Sequence, residues 1–189
     1  MNGRLNVMKY LKVQMTRENL ESIPQYELPV GYKIRNFKIG EEVKWANLEM
    51  KVNEFATTIQ ALTHFNTEFG PYINEMEQRC LFLENPKGEV IGTATGWCGH
   101  LTKDSKISGR IHWIAIIPEY QGKQLSKPLL SAAMKILAKY HNEAYLTSQT
   151  TSFQAINMYL NFGFRPVHAD AYDHEAWTLL EKALNRRIL

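Results

Sequence analysis

The chain has 189 residues, enough for one domain with a sizeable core and short for two. Hydrophobic residues make up 44% and charged residues 22%, a balance that excludes wholesale disorder, collagen and coiled coil. The net charge of +3 is too small to call for a nucleic-acid partner and suits an anionic ligand as well as none.

The longest unbroken apolar run, 113–117, is too short for a membrane span. The opening MNGRLNVMKYLK is dotted with polar and cationic residues and does not read as a secretory signal. Cys80 and Cys98 match no metal-ligand spacing. They point to a reducing, cytoplasmic setting, with a disulfide between them as the open alternative.

Residues 1–30 read as an extension. Leu11, Val13 and Met15 alternate with polar residues as in a strand, and Pro24 and Pro29 mark a connector. The remainder, 31–189, reads as the main domain. It begins with a strand at 32–37, then a helix from Glu41 carrying Val43, Trp45, Ala46, Leu48 and Met50, and a second helix over 67–78. Strands at 80–83 and 90–97 flank the turn Asn85-Pro86-Lys87-Gly88, and the polar 105–109 opens a strand over 110–117 that stops at Pro118. A helix over 127–140, with its apolar stripe of Leu130, Ala133, Met134 and Leu137, precedes a strand at 144–149. A helix at 152–161 ends at Gly163, as helix C-termini commonly do. Strands at 164–168 and 176–180 close the chain. Hairpins followed by strand–helix–strand predict an α/β mixed sheet.

The most informative window is WIAIIPEYQGKQLSKPLL, 113–130. An apolar strand halted by Pro118 feeds a tight turn at Gly122, and an amphipathic helix starts at once. A helix start leaves backbone N–H groups unpaired at the positive end of the helix dipole, a place that suits phosphate, with Lys123 and Lys127 beside it. Read alone, a strand–turn–helix with one glycine is equally an ordinary connection. The second window is SFQAINMYLNFGF, 152–164, a helix with Tyr159 in its second turn, closed by Phe162-Gly163-Phe164.

Together these windows resemble the GNAT superfamily of acyl-CoA-dependent N-acyltransferases. That family's signature places Pro-x-x-Arg/Gln-x-x-Gly-x-Gly/Ala at a helix start, and roughly forty residues later Ala-x-x-x-Tyr-x-x-x-Gly-Phe. Here the first element is Pro118-Glu119-Tyr120-Gln121-Gly122-Lys123-Gln124-Leu125-Ser126, and the second runs from Ala155 through Tyr159 to Gly163-Phe164. The resemblance covers about 30–182. It implies a single α/β (α+β) domain with a mixed, mostly antiparallel central sheet flanked by helices, and acetyl-CoA as co-substrate without a metal. Two positions depart from the pattern. Gln124 stands where the first loop glycine usually sits, and Ser126 where the second small residue sits.

The resemblance implies roles for individual residues. Ile114, Ala115 and Ile116 would lie along the pantetheine arm, with the Ile116 N–H polarising the thioester carbonyl, an oxyanion role. Gln121, Gly122, Lys123, Gln124, Leu125, Ser126 and Lys127 would form the pyrophosphate loop. Ser152 takes the place where many members have an Asn on the cofactor. Tyr159 would protonate the departing thiolate; a phenol of pKa near ~10 is protonated at neutral pH, and a thiol near ~8.5 is the better leaving anion.

Deprotonating an ammonium of pKa near ~10.4 at neutral pH needs a proton acceptor. His112 shares a face with Ile114 and Ile116 by period two, unless a bulge intervenes. The arylalkylamine acetyltransferases carry a proton-relaying His at the corresponding place, so His112 reads equally as the base or as a packed strand histidine. The Glu that many members place on the next strand corresponds to Thr147 here, which cannot serve.

His168, Asp170, Asp173 and His174 cluster but match no metal-ligand spacing. His64 and His141 read as surface residues. Glu54 and Phe55 precede the loop that shapes the acceptor pocket in this superfamily, and read either as substrate contacts or as a helix face. Phe65, Phe69, Tyr72 and Trp97 read as core before pocket.

The expected function is direct acetyl transfer from acetyl-CoA to a primary amine of a small molecule through a ternary complex, since no Cys stands at either motif. A peptide or protein acceptor is the lesser expectation, no membrane partner is expected, and a homodimer remains open. The competing readings are a catalytically silent acyl-CoA sensor of the same fold and a phosphate-loop nucleotide enzyme. The second lacks the Gly-Lys-Ser/Thr sequence and a Mg²⁺ carboxylate.

Overall fold

Alternation of side chains along β3 (Cys80–Glu84) shows how the sheet separates two cores. Leu81 and Leu83 belong to one buried cluster, and Cys80 and Phe82 to the other, as the two-residue strand period demands. The computed structural model describes residues 8–103, 105–167 and 171–189. Its sheet has seven strands in the order β2-β3-β4-β5-β6-β1-β7. They are β1 (Lys12–Arg17), β2 (Lys33–Asn36), β3, β4 (Val90–His100), β5 (Ile107–Ile116), β6 (Ala144–Gln149) and β7 (Arg165–Pro166). Every pairing is antiparallel except β5 with β6.

On one face lie α1 (Glu42–Lys51), α2 (Thr58–Glu68) and α3 (Ile73–Arg79), around an aromatic cluster of Phe37, Trp45, Phe65, Phe69 and Phe82. On the other lies α4 (Ser126–Ala138), so close that a Cβ on Gly96 would stand 3.0 Å from the Ala133 carbonyl oxygen. Glycine at 96 therefore sets how near helix and sheet can come. Two further helices, α5 (Phe153–Asn161) and α6 (Ala171–Leu184), follow. No helix among the described residues is long and apolar enough to cross a membrane.

Most expected elements are present, with two corrections. The single helix expected over 67–78 is instead α2, a short 3-10 turn at Gly70–Tyr72, and α3. Pro71 cannot supply an N–H to a continuous helix, and α2 begins earlier, where the Thr57 hydroxyl caps the Gln60 N–H. The strand expected at 176–180 is part of α6. Ala176, Trp177 and Leu180 share one helical face and are wholly buried.

The place in the sheet beside β6 is taken by β1, which runs between β6 and β7. The connector after β1 is tied down. The Arg17 guanidinium donates to the carbonyls of Asn19, Ser22 and Phe162, Leu20 N–H donates to Asn142 O, and Ser131 Oγ donates to Pro24 O.

Candidate functional site

The parallel strands β5 and β6 pair only at Gly109–Ala144 and Arg110–Tyr145. Beyond residue 110 they diverge, and a cleft of about 600 Å³ opens where they part. One wall is the end of β5, through Ile114, Ala115 and Ile116; the floor is the turn into α4, through Gln121, Gly122, Gln124, Leu125 and Ser126; the other wall is α5 and the turn before it, through Ser152 and Tyr159. All of these were expected at the site, and one cavity brings them together. Val52 and Glu54, from the turn after α1, also line it, as do Tyr120, Thr151, Phe153, Gln154, Ala155 and Met158. Of these, Glu54 and Tyr120 stood next to a recognisable signal; the α5 residues follow from the helix face that carries Tyr159.

The turn is built for backbone donors. The Gln121 side-chain amide donates to Ile116 O at 2.9 Å, while the Ile117 N–H donates to Ile91 O. A strand residue directs its N–H and C=O to the same side, so the Ile116 N–H faces the cleft. Gly122 has φ +75° and Gln124 φ +62°; Gln124 adopts the left-handed conformation for which glycine is the usual residue. The helix α4 starts at Ser126 with no side-chain cap, so its first amides and its dipole point into the cleft.

Lys123 and Lys127 stand at the flanks rather than in the lining. The Lys123 Nζ lies 4.4 Å from the Tyr120 ring centroid and the Lys127 Nζ 5.1 Å from that of Tyr26, both cation–π distances.

Tyr159 is buried, with Phe164 edge-on to its ring. Burial pushes its pKa well above 10, so it is a neutral phenol with a proton to give.

The position of His112 departs from simple alternation. The β4–β5 register shifts between Thr93 and Thr95, and Trp113 takes φ +46°, a bulge that places His112 on the face of Ala115 instead of that of Ile116. His112 is not among the cleft-lining residues. It faces the α1–α2 side, where the Glu68 carboxylate holds three partners. Oε1 accepts from His112 Nε2 at 2.7 Å, and Oε2 accepts from Trp113 Nε1 at 3.0 Å and His64 Nε2 at 2.9 Å.

Burial opposes the charge on Glu68, but the bonds from His112, Trp113 and His64 outweigh it and hold the pKa down at about 2. Ionised Glu68 can only accept, so His112 carries its proton on Nε2 and leaves Nδ1 with a free lone pair. Burial lowers the His112 pKa below 6.5, against the opposing bond from Glu68, so the ring is neutral at pH 7. The same rings explain how a bulky residue tolerates φ above zero at 113. Trp113 packs against Trp45, Phe55, His64 and His112.

Glu68 had no local signal, because it lies 44 residues from His112. His64, read as a surface residue, is half-buried on that carboxylate. Phe65 and Phe69 are core, and Tyr72 and Trp97 sit edge to face at its rim. His141 is half-buried, with its Nε2 unbonded among the described residues. Both cysteines are free thiols. His168 and Asp170 lie outside the described residues, and His174 is on α6.

The donor set of this cleft suits a phosphorylated ligand with an extended amide-bearing arm. Amides at a helix start can take a diphosphate, a strand edge in the splay can pair with an amide-bearing arm, and the Tyr159 phenol belongs to the α5 wall of the same cavity. The model of the Acetyltransferase (GNAT) family matches residues 45–164. No curated protein matches the sequence.

Among solved structures, the chain is similar to a GCN5-related N-acetyltransferase from Sphaerobacter thermophilus, with 19% identity, TM-score 0.64, and 83% of this chain and 48% of that one covered. It is similar also to a GNAT-family acetyltransferase from Colwellia psychrerythraea, with 9% identity, TM-score 0.62 and coverage of 85% and 55%. A Pyrococcus horikoshii OT3 protein aligns at 19% identity and TM-score 0.60, over 75% of this chain and 93% of that one. The chain thus spans about half the length of the first two, and at these identities the likeness is one of fold. With the family model covering both motifs and the strands between them, the chain belongs to the GNAT acetyltransferase family.

Proposed function

We propose that the protein moves an acetyl group from acetyl-CoA directly to a primary amine of a small molecule, in a ternary complex. The observation that carries this reading is the single cleft in which the Ile116 N–H, the start of α4 and Tyr159 converge. Acetyl-CoA supplies an activated thioester. The Gly122–Lys127 turn binds its diphosphate, and the Ile116 N–H stabilises negative charge on the thioester oxygen; as the C–S bond breaks, Tyr159 gives its proton to the leaving sulfur and regains one from solvent.

His112 takes the amine proton on Nδ1, and Glu68 orients the ring and stabilises the imidazolium that results. Because His112 faces the α1–α2 side rather than the cleft lining, the proton travels to it through water. No cysteine lines the cleft, which favours direct transfer over an acyl-enzyme. Free thiols at Cys80 and Cys98 suit a reducing compartment, the cytoplasm in this reading.

The test is thiol release from acetyl-CoA with a panel of amines. Tyr159→Phe should retain acetyl-CoA binding and lose about 100-fold or more in turnover, the usual worth of a general acid; equal turnover removes Tyr159 from the mechanism. The specific observation favouring the silent-sensor reading is the place of His112 outside the cleft lining. Acetyl-CoA binding without thiol release for any amine would establish it.

A further inference from the structure

We infer that Glu54 selects the acceptor: its carboxylate binds the ammonium group of a cationic amine and turns away amines that carry a carboxylate of their own. The inference rests on the acetyltransferase reading above and names the acceptor class for that cleft. Among the described residues lining the cavity, Glu54 is the one carboxylate, and no lysine, arginine or histidine stands with it. It comes from the turn after α1, a different element from the α4 turn that lines the same cavity. There the helix start, with Lys123 and Lys127 on its flanks, makes the field positive. The cavity is therefore polarised, positive where a diphosphate fits and negative at Glu54.

The local fold fixes that negative end. Asn53 takes φ +64° to turn the chain out of α1, and the Glu54 N–H then donates to the Glu49 carbonyl at 3.0 Å. This pins the residue at the C-terminal end of α1, where the helix dipole also favours a cation. The Glu54 carboxylate is exposed and makes no ion pair among the described residues, so its charge is available to a ligand. Burial raises the pKa of the Glu49 carboxyl, and the nearby Glu54 adds to that shift.

An ammonium in the cleft satisfies Glu54. A carboxylate on the same ligand faces it with like charge, and among the described residues no cation in the lining offsets the repulsion.

The experiment uses the full-length protein saturated with CoA. Calorimetry measures binding of phenyltrimethylammonium, whose charge does not titrate and which cannot be acetylated. Glu54→Gln should weaken that binding roughly fivefold, the scale of one exposed charge pair, with acetyl-CoA affinity unchanged; equal binding overturns the proposal. In turnover, 2-phenylethylamine and putrescine should be acetylated in preference to glycine, and Glu54→Lys should narrow or reverse the preference. A wild-type preference for glycine also overturns it. The calorimetric result stands whether or not thiol is released, so failure of the acetyltransferase reading and failure of this one are told apart.

Discussion

Glu49 is wholly buried on the sheet-facing side of α1, and neither of its carboxyl oxygens has a hydrogen-bond partner among the described residues. Burial, with a contribution from Glu54, pushes its pKa up from 4.5 to about 8. Between those values the unfolded chain releases a proton that the native protein keeps. The group's contribution to stability is therefore fully present below pH 4.5 and is lost as pH rises to about 8. At ~1.36 kcal/mol per unit of pKa difference, the loss amounts to about 5 kcal/mol.

That is a large share of the ~5–15 kcal/mol that holds a domain of this kind together. Glu49→Gln keeps the shape and removes the titration. The perturbation is measured by urea unfolding of both proteins between pH 5 and pH 9, followed by tryptophan fluorescence. The stability of the variant relative to wild type should climb by about 1.4 kcal/mol per pH unit up to pH 8 and then level off. Parallel stability curves across that range would refute the assignment of a protonated carboxyl at this place.

Gln124 pays for a left-handed conformation that costs roughly 1–2 kcal/mol in a residue with a Cβ. Gln124→Gly should raise stability by about 1 kcal/mol, once the greater freedom of glycine in the unfolded chain is subtracted, and move Tm by roughly 2–4 °C. An unchanged or lower Tm contradicts the reading. Glu68→Gln removes the group that favours protonated His112, leaving burial to lower that pKa further. The acid limb of kcat/KM should therefore shift to lower pH while kcat falls roughly 10- to 100-fold. A fall in kcat with an unmoved acid limb would make His112 structural.

The resemblance found ten of the residues that line the cleft because they lie in two local motifs, each a strand or helix end whose backbone geometry is written nearby. What escaped the sequence depends on contacts between distant segments. The alternation at Leu11, Val13 and Met15 marks a strand, but nothing in it indicates that β1 is interior, paired with Ser148 through Val13 and with Pro166 through Met15.

Ala176, Trp177 and Leu180 fit a short strand as well as a helix face; burial of all three on α6 decides it. The bulge at Trp113 reverses the facing of His112 and rests on a surrounding cluster of rings from α1, α2 and the turn between them. The partner of His112 is Glu68, the last residue of α2, where the sequence pattern instead predicts a single helix over 67–78 across Pro71. Glu49 was legible in part. It stands four residues after Trp45 on a helix whose Trp45, Ala46 and Leu48 are all buried, which is where a helical face returns.

In the proposed reaction, the splay of β5 and β6 aims a thioester at Tyr159. A crystal structure of the protein with CoA tests it most directly. The diphosphate should lie within hydrogen-bond distance of amides in the Gly122–Lys127 turn, and the sulfur beside the Tyr159 hydroxyl. A cofactor bound outside this cleft, or a sulfur turned away from that hydroxyl, would contradict it.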